Sequence, residues 1–174
     1  EELLDVAQTI SGTRKLKSFL ASVHEEHSLP ELHGLYTGLA DAKPLEEAIR
    51  RCIDDHGAVI DSASPELARI RRDIRTAESQ VRERLESLVR SSSAQKMLQE
   101  QLITIRNDRY VIPVKQEYRA QFGGLVHDQS ASGATLFIEP EAVVQLNNRL
   151  RELRLAEERE VEKILRALSA RTAE

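Results

Sequence analysis

The sequence predicts a mainly α protein with a small antiparallel β insertion: a helical core, then two long antiparallel helices that form a stalk and carry a β-rich tip. Three observations support this fold class. Only 3% of the 174 residues are aromatic and none is Trp, while 31% are charged and 40% hydrophobic, mostly aliphatic, a balance that suits helix packing. Two separate stretches carry apolar residues at alternating steps of three and four, and between them lies a segment rich in β-branched residues and turn signals.

Along residues 1–64, apolar positions fall at helical spacing from Leu3 through Ala7 and Ile10, then Leu16, Phe19, Leu20 and Val23. Ser11-Gly12 is a candidate joint between two short helices. Leu29-Pro30 breaks the pattern, and Leu32, Leu35 and Leu39 restart it. After Pro44 an amphipathic stretch presents Leu45, Ala48, Ile49, Cys52 and Ile53, with Gly57 as its left-handed cap. Ala58 to Ile60 suits a short strand. Cys52 is the single cysteine, which excludes an intrachain disulfide and fits a core position in a reducing, cytoplasmic setting.

Ser64 is a plausible N-cap and Pro65 a preorganised first helical residue for the ascending stalk helix, expected over 65–101. Its seam is Leu67, Ile70, Ile74, Ala77 and Val81, then Leu85 and Leu88 after one four-residue slip. The descending helix, expected over 140–174, carries Leu146, Leu150 and Leu153, a polar position at Glu157, then Val161, Ile164 and Leu168. Glu139-Pro140-Glu141 precedes it, where proline suits a helix start and acids suit its positive end. The tip, residues 102–139, reads as two hairpins. The first turns at Asn107-Asp108, with Pro113 favouring an edge strand; the second turns around Ser130 to Gly133. The sequence opens without Met and closes on a helical run, which suggests a piece of a longer chain.

The net charge of -4 conceals an uneven distribution. Residues 1–64 hold 6 basic and 12 acidic side chains, residues 65–127 hold 12 basic against 8 acidic, and residues 128–174 hold 7 against 9. The middle third is therefore where an anion would bind. Within it Arg106, Arg109, Lys115 and Arg119 accompany Tyr110 and Tyr118. Arginine forks and lysine ammonium groups satisfy phosphate oxygens without reading bases, although the same four residues also suit a plain solvated face. Tyr110 suits the core better than a stacking role.

Other constellations point to no chemistry. In His24-Glu25-Glu26-His27 the two histidines stand at i, i+3, not the i, i+4 of a zinc-protease helix, and His33 supplies no fixed third ligand. His127, Asp128 and Ser130 are too close in sequence, with no nucleophile elbow, to form a hydrolase triad. Asp54, Asp55 and Asp61 lack calcium-loop spacing. Gly123-Gly124 is followed by Leu125-Val126-His127, so there is no phosphate loop of the Lys-Ser/Thr kind. No apolar run approaches the ~20 residues needed to cross a bilayer.

Two runs carry a family likeness: Ile103-Thr104-Ile105-Arg106-Asn107-Asp108-Arg109-Tyr110-Val111-Ile112-Pro113-Val114-Lys115, and Val126-His127-Asp128-Gln129-Ser130-Ala131-Ser132-Gly133-Ala134-Thr135-Leu136-Phe137-Ile138-Glu139-Pro140. Asp61 to Leu67 and Val143 to Asn148 add to it. These segments resemble the type-two paralogue of the bacterial MutS family. The resemblance implies that residues 1–64 and the stalk helices correspond to core and lever, and the tip to a clamp inserted between lever helices. It also implies a longer, homodimeric, cytoplasmic protein whose ATPase, with ATP and Mg, and small nuclease domain lie outside these residues. That family is tied to suppression of homologous recombination and to rescue of collided ribosomes.

The expectation is therefore a non-catalytic fragment with no cofactor of its own, no metal site and no membrane contact. Its clamp would grip branched or duplex DNA, or ribosomal RNA, through Arg106, Arg109, Lys115 and Arg119. The alternative is a structural arm that docks on a ribosome or a partner subunit.

Overall fold

A computed structural model describes residues 1–27, 30–39 and 41–172. The chain divides into two compact units, one formed by Glu1–Ala68 with Glu158–Glu174 and the other by Arg69–Glu157. Among the described residues the structure is mainly helical with one small antiparallel sheet.

In the first unit, α1 (Glu2–His27) continues straight through Ser11-Gly12, where a joint was expected. One glycine costs a helix only about 1 kcal/mol. Tertiary contacts on both sides of it offset that cost: Ala7 is fully buried, Arg14 Nη1 donates to Glu46 Oε2 at 2.7 Å, and Lys17 Nζ donates to the Leu39 carbonyl at 2.8 Å. The expected break at Leu29 lies outside the described residues, as do the side chains of Leu32 and Leu35; α2 spans Pro30–Thr37.

α3 (Lys43–Cys52) has proline in its first turn and ends at an extended Ile53, earlier than the Gly57 cap expected. Asp54 is the reason. Its Oδ1 accepts from the His56 and Ala58 amides, both at 2.9 Å, which folds the chain into a tight turn closed by Gly57 at φ 84°. Val59 then meets Ile53 in a single antiparallel bridge rather than a strand. Ala48, Ile49 and Ile53 pack with Ala7 and Leu168, and Cys52 lies half-buried beside them.

α4 (Pro65–Val89) starts as its sequence predicts: the Ser64 hydroxyl accepts from the Leu67 amide at 3.0 Å and donates to Glu160 Oε1 at 2.8 Å. Such a cap contributes about 1 kcal/mol. The helix stops at Val89, well short of residue 101. A run of three serines follows, and serine hydroxyls compete with helical backbone bonding. Ser91 Oγ donates back to the Leu88 carbonyl and caps a new short helix, α5 (Ser92–Gln95), by accepting from the Ala94 amide.

In the second unit, the seam residues Ala77, Val81, Leu85 and Val89 of α4 pack with Val143, Leu150 and Leu153 of α7 (Glu141–Ala170). Arg71 pairs with Glu157 at 2.6 Å and Glu78 with Arg154 at 2.9 Å, so the helices run antiparallel through this unit. The Arg71 pair accounts for the polar interruption of the α7 seam at Glu157.

The insertion consists of β1 (Thr104–Arg106), β2 (Arg109–Lys115), a short α6 (Arg119–Phe122), β3 (Leu125–Gln129) and β4 (Thr135–Glu139). Asn107 and Asp108 have φ of 51° and 60°, a two-residue type I′ turn that holds Arg106 opposite Arg109. The two hairpins merge into one sheet of order β1-β2-β4-β3. Pro113 therefore lies on an interior strand rather than an edge. It is tolerated because it falls beyond the end of β1, where the chain at Met97–Gln99 needs only its carbonyl: the Gln99 amide donates to Pro113 O at 2.9 Å. Tyr110, Ile112, Val114, Leu136 and Ile138 join the helix seam to make the core of this unit. Tyr110 is thus a core residue, with the Arg82 guanidinium 5.5 Å from its ring centre.

Gly124 has φ 78°, and a Cβ there would lie 2.4 Å from the Glu139 carbonyl oxygen. Gly133 has a similar φ of 74° but open space around it. Gly124→Ala should therefore lower unfolding stability by roughly 2–4 kcal/mol, against about 1 kcal/mol for Gly133→Ala, in urea titrations followed by circular dichroism. Equal losses would contradict the close approach.

Acid should act on the first unit. Hydrogen bonds from Arg14, and less so Arg50, lower the Glu46 carboxyl; the Ala58 amide lowers Asp54; the Ser64 hydroxyl lowers Glu160. A carboxyl lowered in the folded state contributes stability that is present above its unfolded pKa and lost as pH falls through its folded pKa. Amide exchange in α3 should therefore accelerate, relative to the intrinsic rate, between about pH 5 and pH 3, and Glu46→Gln should flatten that dependence.

Candidate nucleic-acid interface

The four basic residues singled out in the sequence fall on or beside the sheet. By register Arg106 stands opposite Arg109, and alternation along β2 puts Lys115 on the same face, with Thr135, Phe137 and Glu139 of β4 alongside. Their surroundings nevertheless differ.

Arg109 is only 7% exposed. Its Nε and Nη2 donate to the two oxygens of Glu139 at 3.1 and 2.6 Å, and its Nη1 donates to Asn148 Oδ1 at 2.8 Å. Arg109 is therefore a structural cation rather than a phosphate contact, because an unpaired carboxylate with no exposure would cost several kcal/mol. Glu139 also takes the ring Nε2 of His127 at 2.6 Å and the Asn147 amide at 2.8 Å. Asn147, 1% exposed, reads the Tyr110 backbone with both ends of its amide, accepting from N at 3.3 Å and donating to O at 3.1 Å.

Arg106 is partly exposed and held from several sides. Its Nε lies 3.1 Å from Asp128 Oδ2, its Nη1 donates to Thr104 Oγ1 and the Ile105 carbonyl, and its guanidinium carbon sits 4.1 Å above the centre of the Phe137 ring. Asn107 Nδ2 donates to the His127 carbonyl at 2.9 Å. β1 and β3 are opposite edges of the sheet, so these contacts mean that it curls over Phe137 until its margins touch at one end. The curl is aided by a bulge between Val126 and Asp128, which leaves His127 as the extra residue and turns it toward Glu139.

Lys115, half-buried, ends β2 and donates from Nζ to the Lys96 carbonyl at 3.3 Å. Arg119 opens α6 and is partly exposed. The surface cations of this region are thus Lys96, Arg106, Lys115 and Arg119, with Arg109 held beneath the surface.

The histidine, aspartate and serine set aside as a triad have separate partners: His127 serves Glu139, Asp128 serves Arg106, and Ser130 Oγ accepts from the Thr135 amide at 3.1 Å. His24, His33 and Tyr36 meet one another through tilted and edge-on ring contacts, and no metal-holding group of His, Cys, Asp or Glu occurs among the described residues. The His27 side chain lies outside them. Sequence reasoning missed Glu139, Asn147 and His127. Asn147 had a visible signal, since it lies on the apolar stripe of α7, four residues after Val143 and three before Leu150.

Comparison of its sequence with known proteins matches the chain to one region of longer proteins. Over nearly its whole length the chain is similar to part of endonuclease MutS2. It is 60% identical over 174 residues to the MutS2 of Geobacillus sp. (strain WCH70), covering 99% of this chain and 22% of that protein. For the MutS2 of Brevibacillus brevis the identity is 57% over 168 residues, and for that of Bacillus cereus 53% over 173 residues. The chain thus spans 21 to 22% of the length of these MutS2 relatives. No family model matches the chain.

Arg109→Met should cost about 3–5 kcal/mol of stability by leaving Glu139 buried without its cation, and Glu139→Met in the same chain should recover part of the loss. A chemical-denaturation double-mutant cycle measures both. An Arg109 variant with unchanged stability would return this residue to the surface.

Proposed function

We propose that this chain is a non-catalytic lever and clamp segment of a MutS-type protein, and that its sheet grips duplex or branched DNA by the phosphate backbone without reading sequence. Residues 1–64 supply core and lever, α4 (Pro65–Val89) and α7 (Glu141–Ala170) the stalk helices, and 102–139 the clamp. The observation that carries this is the excess of cations in the middle third, 12 basic against 8 acidic, with Lys96, Lys115 and Arg119 on the surface of the sheet-bearing unit. Likeness to endonuclease MutS2 supports it.

Lysine and arginine at these positions release counterions when they meet phosphates, so affinity is salt-dependent and indifferent to sequence. Arg109 contributes by holding β2, β4 and α7 in register beneath the contact surface. Arg106 is engaged by Asp128 and Phe137 and is not assigned to the backbone grip. In the longer protein, ATP and Mg would act in a domain outside this segment, a nuclease domain would cut, and a homodimer would bring two clamps together. Suppression of recombination and rescue of stalled ribosomes are the proposed roles of that protein.

A second function has one observation in its favour. Phe19 and Leu16 of α1 are 63% and 50% exposed, an apolar surface suited to protein contact, as in an arm that docks on a ribosome or partner subunit.

Titrating a labelled four-way junction and a plain duplex against the chain at low and moderate salt separates the two. Clamp binding should weaken steeply with salt, and Lys115→Ala or Arg119→Ala should each reduce the slope of log affinity against log salt by about one. Salt-independent binding, or variants identical to the parent sequence, would favour the docking arm.

A further inference from the structure

The concave side of the curled sheet opens into a groove of about 370 Å³, within the range of small-molecule sites. Leu102, Pro113 and Phe137 give it apolar surface; Thr104, Arg106 and Glu100 give it polar surface. Leu102 is 40% exposed there, a large aliphatic side chain that the packing of the unit leaves uncovered.

Two features decide what could enter. A phosphate group is a poor fit. The one guanidinium in the groove is already neutralised by Asp128, two of its three nitrogens are committed within the sheet, and Glu100 adds a carboxylate to the wall. A flat, uncharged heterocycle is a good fit. The Arg106 plane is preorganised by Phe137 beneath it and by hydrogen bonds around its edge, and its side chain is 37% exposed. Guanidinium planes and aromatic rings are the surfaces on which unpaired bases stack. The Thr104 hydroxyl, on the groove wall, offers a hydrogen-bonding group to a base edge.

A neighbouring groove shares Gln99 with the first and is lined by Lys115 and Glu117, so a cation stands beside the base-sized space. We propose that this groove takes one unpaired nucleobase of single-stranded nucleic acid, stacked on the Arg106 guanidinium, with an adjoining phosphate at Lys115. This deepens the clamp function above and rests on it: the clamp would hold duplex by its backbone and would register junctions, gaps or loops by the bases they leave unstacked.

The test uses the chain and a short oligonucleotide carrying one 2-aminopurine, either as a single strand or annealed into a blunt duplex. The single strand should bind about 10-fold more tightly than the duplex at equal salt, with saturable quenching of the 2-aminopurine emission. Thr104→Trp, which fills the groove without changing charge, should abolish that preference and leave duplex affinity as it was. Arg106→Lys keeps the charge but loses the plane, and should lower single-strand affinity by about 10-fold. Circular dichroism melts of both variants identify any loss of fold.

Equal affinity for single strand and duplex, or an Arg106→Lys chain that binds single strand as tightly as the unsubstituted one, overturns the base site and leaves the backbone clamp standing. Failure of both nucleic acids to bind at low salt overturns both.

Discussion

The buried carboxylate of Glu139 is the constraint around which the sheet-bearing unit is organised. With no exposure of its own, it accepts from Arg109, Asn147 and His127, residues that come from β2, α7 and the bulge of β3. Removing an ionised carboxylate from water is tolerable only when its oxygens are fully bonded and its charge is paired. The network therefore demands that three elements distant in sequence reach one point together. Hydrophobic packing between the sheet and the helices is permissive about small displacements; this cluster is not. Among the described residues no buried side-chain nitrogen or oxygen lacks a partner, so the demand is met.

Several features of the region follow from that point. The β3 bulge turns His127 inward. Gly124 must lack a side chain because β3 starts against the carbonyl of Glu139. The amide of Asn147 ties the backbone of Tyr110 to α7, so the first hairpin cannot slide along the helix without breaking two hydrogen bonds. The curl that follows brings Arg106 over Phe137 and against Asp128, which makes a concave face out of a sheet that would otherwise be open. A polar cluster beneath the surface thus shapes the groove and the cations above it, which links a question of folding energetics to one of ligand chemistry.

The basic residues show how identical side-chain chemistry divides by context. Arg106 and Arg109 are cross-strand neighbours, three residues apart, yet one is a half-exposed plane on an aromatic ring and the other an internal counter-charge. Lys115, at the end of the same strand, anchors to a carbonyl and keeps its charge near solvent. A net excess of positive charge counted along the sequence treats all of these as equivalent; burial distinguishes them.

Much of the architecture was legible in the order of residues alone. The helical seams, the Ser64-Pro65 start of α4, the Asn107-Asp108 turn and the pair of hairpins are set by interactions within a few residues, which periodicity and capping chemistry encode directly. Some expectations failed for local reasons, the serines that stop α4 at Val89 and the Asp54 turn that ends α3 early; others failed because a distant partner intervened. α1 runs through Gly12 because α3 supports it, and Pro113 sits inside the sheet because β4 pairs with β2. Arg109 is buried because Glu139, thirty residues later, is buried too. The sequence by itself determined the main helices, strands and turns, though not all of their ends, and where positive charge is concentrated. Only the tertiary structure decided which charges face water and that two hairpins become one curled sheet, because those outcomes depend on pairing between residues whose separation along the chain carries no periodic signal.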